Sequence, residues 1–353
     1  MRRTSMVLAI LGVLLVAAAG VVRCAVLPSV AKLPSNSNTT AIYAGTARVL
    51  LDQSALASGS TAPLIRQNLP LRINESVRVL KSNAVAAVVE FAVLETAAGE
   101  RINTYDYRYA VDRKTLQPST AISASGLTPA HELTVSFPIG TERHDYTGWI
   151  QDTRTTTPLT FQGTATHVKV PTSDRTRTYA FGFQTYVFKQ VMSPTPITDP
   201  VELGTLPSWV PKSELLPLAA ALRLPASSAQ LASLPNQVPL AYTYACNYTY
   251  WVAPLDGLTV DLQASETRTV ELPASVLGVA VPLVTVSDFV YTDTLGTFLS
   301  LVHQAKNDAS GLTLVGTTLP LLSLSMGFVL LVASALLGRR AFLGRRQPGK
   351  STE

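Results

Sequence analysis

Two long apolar segments stand close to the ends of the chain. Met6–Val22 runs for 17 residues without a charge, and Leu319–Gly338 runs for 20 residues without a charge. A helix rises 1.5 Å per residue, so about 20 residues cross the ~30 Å hydrocarbon core of a bilayer. The pattern predicts a transmembrane helix at each end, and a buried core helix is the weaker interpretation of the second segment.

The first apolar segment has three interpretations. Its length exceeds the apolar core of about 7–15 residues that is usual in signal peptides, which favours an uncleaved signal anchor. A cleaved signal peptide stays open, because Ala17-Ala18-Ala19 offers small residues for cleavage. Cleavage followed by lipidation of Cys24 is the third interpretation, although Arg23 stands where lipoprotein signals have a small residue.

Between the two spans, alternating apolar and polar residues predict strands. In Asn103–Asp112 and in Tyr242–Tyr250, tyrosines fill most of the alternate positions. Gly257–Leu272 alternates as the hairpin partner of the second strand, with Pro254–Gly257 as the turn, and Thr294–Ala309 has the period of an amphipathic helix. We therefore expect a β-rich α+β extracytoplasmic domain flanked by N- and C-terminal transmembrane helices.

Composition divides the chain further. Prolines and small polar residues after the first span indicate a linker, and a run of prolines after residue 192 indicates an excursion or lid outside the core. The predicted segments are 1–23 (cytoplasmic tip and signal anchor), 24–40 (juxtamembrane linker), 41–191 (β-rich body), 192–239 (proline-rich excursion), 240–318 (β-hairpin and short helix completing the body), 319–338 (transmembrane helix) and 339–353 (basic cytoplasmic tail).

The net charge of +5 and the pI near 9.2 come from the two tails. Seven basic residues and Glu353 give the tails +6, so the rest of the chain carries −1. The basic residues are Arg2, Arg3, Arg339, Arg340, Arg345, Arg346 and Lys350. This distribution gives no support for nucleic-acid binding by the body. The positive-inside rule predicts a two-pass plasma-membrane protein with both termini in the cytoplasm and the main domain outside.

Motifs of enzymes and metal sites are missing from the sequence. The four histidines have no metal-ligand spacing, and no G-x-S-x-G, phosphate-binding or dinucleotide-binding motif occurs. Ser29–Lys32 matches the S-x-x-K pattern of Ser–Lys acyltransferases but has no companion motif. Glu142–Asp145 offers acid and base groups without a nucleophile beside them. We expect no enzymatic activity, no catalytic residue, no cofactor and no metal site.

The tyrosines are the candidates for recognition, because each presents an apolar ring and a polar tip that suit amphiphilic ligands. The alternative interpretation is ordinary packing of aromatic pairs within a sheet. The candidate ligand-facing residues are Tyr105, Tyr107, Tyr109, Tyr242, Tyr244, Tyr248 and Tyr250. Two cysteines, Cys24 and Cys246, allow at most one disulfide, and whether it forms stays open.

Two groups of residues carry a resemblance to a known family. The first lies in the stretch from residue 137 to residue 190, and the second follows Tyr250. The motif residues are Phe137, Pro138, Gly140, Thr141, Tyr146, Trp149, Asp152, Trp251, Pro254 and Gly257, with Phe161, Gly163, Tyr186, Val187, Phe188, Val252, Val260 and Asp261 beside them. In these motifs and in its two spans, the chain resembles the actinobacterial two-span family of unknown function labelled the porin PorA family.

The resemblance implies a membrane-anchored protein of the mycolic-acid type of cell envelope. It favours a non-enzymatic role in binding or trafficking envelope lipids such as mycolate-bearing glycolipids, beside an inner-membrane lipid transporter. A structural scaffold for other membrane proteins is the second hypothesis, and a porin-like channel, as the family label suggests, is the third. A strand-built pore fits the sequence poorly, since it needs many strands with an apolar outer face and no helical span.

Overall fold

The computed structural model of the protein describes residues 2–52, 65–171, 176–213, 215 and 234–343. The chain forms two compact units, Met1–Lys32 with Lys306–Glu353, and Leu33–Ala305. The first unit is helical and the second is built on a β-sheet. The helices are α1 (Arg2–Val21), α2 (Leu27–Val30), α3 (Pro200–Leu203), α4 (Ala274–Leu277), α5 (Leu295–Thr313) and α6 (Leu319–Leu343), with π-helical turns at Val22–Val26 and Leu314–Thr318.

In the helical unit, α1 and α6 pack side by side in antiparallel orientation. Ser5 and Ser334 exchange side-chain-to-backbone hydrogen bonds of 2.9 and 2.6 Å near one end of the pair. Halfway along, a Cβ atom on Gly12 would lie 2.9 Å from the Gly327 carbonyl oxygen, so both glycines permit close backbone contact. Small residues and serine hydrogen bonds are typical of contacts between membrane helices. Two helical stretches, Thr4–Val30 and Leu295–Arg339, are long and apolar enough to cross a membrane.

Substituting Gly12 by isoleucine should loosen the α1–α6 pair, because the added Cβ would lie 2.8 Å from Leu331 Cγ. Gly20→Ile is the matched control in the same helix, since a Cβ there meets nothing within 4 Å. Cysteines placed at Ser5 and Ser334 report the pairing by the rate at which they form a disulfide in membranes. We expect a slower rate in the Gly12 variant and an unchanged rate in the Gly20 variant, and equal rates would contradict this packing.

The second unit contains a ten-stranded antiparallel sheet with the strand order β4-β3-β2-β1-β12-β11-β10-β7-β6-β5. Two further strands, β8 and β9, pair separately. The strands are β1 (Asn38–Leu51), β2 (Ile65–Ser82), β3 (Ala86–Ala97), β4 (Glu100–Asp112), β5 (Tyr146–Ile150), β6 (Thr155–Pro171), β7 (Thr176–Pro196), β8 (Trp209–Pro211), β9 (Gln237–Pro239), β10 (Ala241–Val252), β11 (Thr259–Leu272) and β12 (Val281–Asp293).

The sheet curls until its two ends face each other. Tyr109 from β4 belongs to the same buried cluster as Leu159 from β6 and Phe188 from β7, although β4 stands at the opposite end of the strand order. No ladder joins the edge strands β4 and β5 within the described residues, so the sheet is not a closed barrel. The core therefore lies on the inner face of one curved sheet, with β-rich architecture as predicted.

The connection between β4 and β5 covers both sheet edges. The Thr128 N–H donates to the Arg108 carbonyl at 2.7 Å along β4, and the Trp149 N–H of β5 donates to the Leu133 carbonyl at 2.8 Å. Unpaired strand edges invite association with other chains, and covering them with a loop prevents it. Residues 113–145 thus protect a sheet that does not close on itself.

Several predicted boundaries shift in the structure. β7 continues through Val191 to Pro196, so the strand enters the region expected to be an excursion. Proline has no backbone N–H to donate but keeps its carbonyl acceptor. A strand therefore tolerates proline at positions where the missing N–H would make no hydrogen bond to a neighbouring strand. Ile197, Leu234 and Val238 from residues 192–239 are buried in a core cluster, which contradicts an excursion outside the core at these positions. Most of residues 214–233 lies outside the described residues.

The segment expected to be a linker, 24–40, is also largely ordered. Its first part continues the helix of the first span through Leu27–Val30, and its last residues start β1 at Asn38. The other expectations agree with the structure: β10 and β11 form the predicted hairpin, and α5 occupies the predicted amphipathic segment.

Candidate functional site

The two tyrosine strands face the inside of the curled sheet. Five of the seven candidate tyrosines are buried, and Tyr248 and Tyr250 are half-buried. Neighbouring rings on β4 stack, with ring centroids 6.1 and 6.2 Å apart along the series Tyr105, Tyr107 and Tyr109. Among the described residues, the rings pack against one another and within the buried clusters, as the sheet-packing interpretation expects.

The tyrosine hydroxyls reach polar groups inside the body. Tyr107 donates to Asp199 Oδ2 at 2.8 Å, and Tyr242 donates to the Pro207 carbonyl at 2.7 Å. Tyr248 donates to Glu266 Oε1 at 2.8 Å, and Tyr291 hydrogen-bonds the same carboxylate oxygen. Buried hydroxyls need such partners, because an unmade hydrogen bond leaves the cost of desolvation uncompensated. The sequence-predicted tyrosines are therefore the outer members of a buried polar network.

Arg268 on β11 is the centre of this network, which we call the Arg268 cluster: Arg268, Asp152, Glu202 and Glu266. Its guanidinium lies 2.8 Å from Asp152 Oδ2, 2.9 Å from Glu202 Oε1 and 3.5 Å from Glu266 Oε2. The same guanidinium stacks over the Tyr244 ring at 5.0 Å. A planar guanidinium with five donors suits several carboxylates at once. One positive charge thus joins the turn after β5, helix α3 and strand β11.

Negative charge exceeds positive charge around this cluster. Glu95 on β3 is buried, and burial raises its pKa to about 8. Arg268 lowers that pKa by a smaller amount, while Glu266, Glu202 and Asp152 raise it. Burial also raises the pKa of Asp152, against the opposing effect of Arg268. One arginine therefore faces four carboxyl groups, and burial favours holding at least one of them protonated.

A small cavity adjoins the Arg268 cluster. Its volume is about 50 Å³, and its lining includes Glu95, Glu202, Arg268 and Ser287. Glu202 Oε2 and Ser287 Oγ have no hydrogen-bond partner from the protein. A polar cavity of more than ~10–15 Å³ accommodates a water molecule, whereas binding pockets for larger ligands measure several hundred Å³. The cavity fits a few waters that would satisfy these oxygens, and it is too small for a lipid.

The raised pKa of Glu95 makes stability depend on pH. In the unfolded chain this carboxyl loses its proton near pH 4.5, whereas in the folded protein it keeps the proton up to about pH 8. The stabilisation is therefore complete below about pH 4.5 and is lost as the pH rises to about 8. We expect the free energy of unfolding to fall by up to ~1.4 kcal/mol per pH unit in this window on account of Glu95.

Chemical denaturation of the purified protein at several pH values between 5 and 8.5, followed by tryptophan fluorescence, measures this slope. Glu95→Gln should flatten it, because glutamine stays neutral at every pH. Glu100→Gln is the matched control from an exposed position, with 69% of its side chain accessible. A slope that the Glu95 variant leaves unchanged would assign the pH dependence to other groups.

The two sequence motifs meet in the structure at a turn. The backbone of Phe137 and Pro138 lies directly against Gly257, and Ser136 Oγ donates to the Gly257 carbonyl at 2.9 Å. Gly257 has φ = +73°, which places it in the left-handed region. The Gly140 N–H donates to the Leu255 carbonyl at 3.2 Å on the same turn. These motif residues therefore dock one long connection onto the β10–β11 hairpin.

The other motif residues support the interior. The Phe137 ring packs on Phe188 at 4.6 Å and meets Tyr146 edge-on at 5.9 Å, while Asp152 binds Arg268 as described above. Trp149 Nε1 donates to Gln151 Oε1 at 2.8 Å, and Gln151 Nε2 donates to Asp199 Oδ1 at 3.0 Å. The remaining members lie at the same turn or on neighbouring strands: Thr141, whose hydroxyl donates to the Pro138 carbonyl, Trp251 at the end of β10, and Pro254 just after it.

The histidine side chains lie at the surface of the described part of the chain. All four histidines, His131, His144, His167 and His303, are exposed and stand outside the polar interior. Among the described residues, no cluster of three or more histidine, cysteine or acidic residues could hold a metal ion. Burial raises the pKa of Cys246 to about 12, which leaves the thiol protonated and a poor nucleophile.

Cys24 and Cys246, the two residues that could form a disulfide, belong to different compact units of the chain. Both cysteines are free thiols, with Cys24 exposed and Cys246 buried. Cys246 lies in a core cluster with Met192 and Val270, enclosed by its own sheet.

Sequence reasoning missed the charged members of the interior. Glu266 and Arg268 lie on β11 at the alternate positions that also hold Leu262, Ala264 and Val270, all of them buried. Both could have been identified from the sequence, because they are charged residues at alternate positions of a strand that otherwise hold apolar residues. Glu202 carried no such signal, because it lies in a short helix within the proline-rich region.

Comparison with known proteins agrees with the two motifs and the two spans. No curated protein matches the sequence. The family model described as Porin PorA matches residues 4–336, which include both apolar helices and the whole β-rich unit. The chain therefore belongs to the porin PorA family.

Proposed function

We propose that the protein is a non-enzymatic, two-span anchored protein of the plasma membrane that acts as a scaffold through the surface of its β-rich body. The packing of the described part of the interior supports this proposal. The inner face of the sheet is occupied by apolar clusters and by the Arg268 cluster, and the cavity beside it measures about 50 Å³. A lipid carrier needs an apolar cavity, and a strand-built pore needs a water-filled lumen.

The outer face of the sheet also favours a water-exposed body. In the ten-stranded sheet, the large apolar side chains that are exposed among the described residues are Leu80, Leu94 and Val191. A strand-built membrane protein instead carries a continuous apolar band on its outer face. Exposed apolar side chains are concentrated on α1 and α6, for example Ile10, Leu14, Phe328 and Val329. Membrane insertion by these two helices alone fits this distribution.

The antiparallel pairing of α1 and α6 supports an uncleaved signal anchor. The Ser5–Ser334 hydrogen bonds and the Gly12–Gly327 contact use residues that cleavage after the first span would remove. The pairing brings both chain ends to one end of the helix pair, and arginines flank both of those ends. By the positive-inside rule, that end is cytoplasmic and the β-rich body is extracytoplasmic. Mass measurement of the purified protein tests whether residues 1–23 are retained.

If the protein is a scaffold, it should bind no lipid of its own, and its exposed surface should contact defined partner proteins. The full-length protein, purified in detergent, should retain no lipid at one molecule per chain when extracts are measured by mass spectrometry. Photo-crosslinkers placed at the exposed Leu80 and Val191 should trap defined membrane proteins in cells, and an inner-membrane lipid transporter is the partner that we expect first. A matched crosslinker at the buried Val89 should trap none. Stoichiometric bound lipid, or equal trapping from both kinds of position, would contradict the proposal.

A pore is the second candidate, because the family is described as a porin. Within the described residues, the segments that could line a pore across a bilayer are α1 and α6, so several copies would have to assemble. Reconstitution of the full chain in planar bilayers tests this candidate. Conductance steps that Gly12→Ile abolishes and Gly20→Ile preserves would favour the pore over the scaffold. We expect a record without steps.

A further inference from the structure

The cavity beside the Arg268 cluster has a polar buried end and an apolar outer end. Glu95, Glu202 and Ser287 line its buried end, with 5%, 1% and 7% of each residue exposed, respectively. The outer walls come from half-buried apolar side chains: Leu50, Leu51, Ile102 and Leu206. Thr205 also lines the cavity and is exposed, so the cavity reaches the surface of the body.

Two oxygens at the buried end have no hydrogen-bond partner among the described residues. Glu202 Oε1 lies 2.9 Å from Arg268, whereas Glu202 Oε2 is unpartnered. Ser287 Oγ on β12 is unpartnered as well. A carboxylate oxygen only accepts hydrogen bonds, and a hydroxyl can accept one too. A buried acceptor left unpaired is unfavourable, so a ligand that carries donor groups would stabilise this end of the cavity.

The charges around the cavity favour a positively charged donor. Even with Glu95 protonated, the three carboxyl groups of the Arg268 cluster outnumber its single guanidinium. A cleft lined by an excess of one charge attracts the opposite charge. A metal ion fits poorly, because the described residues contain no group of three or more histidine, cysteine or acidic side chains that could hold one. An ammonium group suits two unpaired acceptors, since it brings three donors and no acceptor.

The cavity also has the size of a short alkylammonium group. One water-sized group occupies about 10–15 Å³ of such a cavity, so a volume of about 50 Å³ holds roughly three to five non-hydrogen atoms. Lysine carries its ammonium on a four-carbon stem, which is of this size. The ammonium would reach Glu202 and Ser287, while the methylene groups would contact the apolar outer walls, such as Leu51 and Leu206.

We propose that this cavity binds a primary ammonium group carried by a short alkyl chain, with Glu202 and Ser287 as its hydrogen-bond acceptors. This chemistry has two sources, the lysine side chain of a partner protein and a small free amine. The cavity lies inside the curled sheet, whereas the scaffold proposed above acts through the outer surface. The two proposals are therefore tested separately.

The first probe is n-butylammonium chloride. Thermal unfolding of the full-length protein in detergent is measured while n-butylammonium replaces sodium at constant ionic strength. We expect the Tm to rise with the n-butylammonium concentration, because a ligand that binds only the folded state stabilises it. The controls are n-butanol, which has a similar shape without the charge, and tetramethylammonium, which has the charge without N–H donors. Neither control should raise the Tm by this amount.

Two variants locate the effect. Ser287→Ala removes an acceptor that makes no hydrogen bond to the described residues, and it should weaken n-butylammonium binding by about three- to tenfold. Glu202→Gln should weaken binding at least about tenfold, because a hydrogen bond to a charged acceptor is stronger. Thr292→Val is the matched control, since Thr292 Oγ1 on the same strand also lacks a partner but does not line the cavity. Should Glu202→Gln fail to fold, the comparison of Ser287→Ala with Thr292→Val decides.

A lysine with both its amino and carboxyl ends blocked as amides distinguishes the two sources. If it raises the Tm as n-butylammonium does, the cavity accepts a lysine side chain of a polypeptide. If only n-butylammonium raises the Tm, the cavity takes a small free amine. A Tm that n-butylammonium leaves unchanged, or that n-butanol raises equally, would overturn the proposal and leave the cavity to water. An effect that survives both Ser287→Ala and Glu202→Gln would place the binding elsewhere and overturn it too.

Discussion

Replacing Arg268 by methionine is expected to destabilise the β-rich unit by about 3–5 kcal/mol, or to prevent its folding altogether. Among the described residues, the guanidinium is the only cation that contacts Asp152, Glu202 and Glu266, with distances of 2.8, 2.9 and 3.5 Å. Methionine keeps most of the side-chain volume but leaves these carboxylates buried without a compensating positive charge. The free energy of unfolding, from guanidinium chloride denaturation followed by tryptophan fluorescence, measures the loss.

Two further variants separate charge from geometry. Arg78→Met removes an arginine whose side chain is 55% exposed and lies 2.6 Å from Glu90, and we expect a change below about 1 kcal/mol. Arg268→Lys keeps the charge but lacks the planar fork that reaches several carboxylates, so an intermediate loss is expected. If Arg78→Met and Arg268→Met lower the free energy of unfolding by similar amounts, the buried cluster stabilises the protein no more than an exposed ion pair does.

Gly257→Ala is the second substitution for which we expect a large effect, about 2–5 kcal/mol. Gly257 has φ = +73°, and an added Cβ would lie 2.5 Å from the Pro138 carbonyl oxygen and closer still to that of Phe137. The backbone cannot yield easily, because Ser136 holds the Gly257 carbonyl at 2.9 Å. Thermal unfolding of the full-length protein measures the effect.

Gly99→Ala isolates the contribution of backbone conformation. Gly99 has φ = +85°, yet a Cβ there meets nothing within 4 Å. Its substitution should cost only the strain of a left-handed residue, about 1–2 kcal/mol. If Gly257→Ala lowers stability by no more than Gly99→Ala does, the close contact between Gly257 and the backbone of Phe137 and Pro138 is contradicted.

Local patterns predicted most of the architecture. The two apolar spans, the strand with Tyr105 and the β10–β11 hairpin follow from periodicity, since each depends on neighbours within a few residues. The boundaries near Val191 and in residues 24–40 were placed wrongly, because prolines and small polar residues were interpreted as breaks. In the structure, β7 continues to Pro196, where packing in the core compensates for the lost ladder bonds.

From the sequence, the tyrosines of the candidate site could be named, but Glu202, Glu266 and Arg268 were not. The tyrosines were expected either to face a ligand or to pack in the sheet, and alternation along a strand cannot distinguish these outcomes. The decision came from the curl of the sheet, which brings β4 against β6 and β7. That same curl carries Asp152 and Glu202 to Arg268, residues 116 and 66 positions away along the chain, respectively.

By itself, the sequence indicated two helices long and apolar enough to cross a membrane, basic tails, and a nearly neutral β-rich body between them. Each of these properties depends only on residues that are neighbours along the chain, so it can be identified without the folded structure. Only the tertiary structure decided what the body contains. Whether a polar side chain inside a sheet meets a ligand, water or an opposite charge depends on strands that are distant in sequence. Among the described residues, the inner face carries apolar clusters, with one arginine among four carboxyl groups at its polar centre.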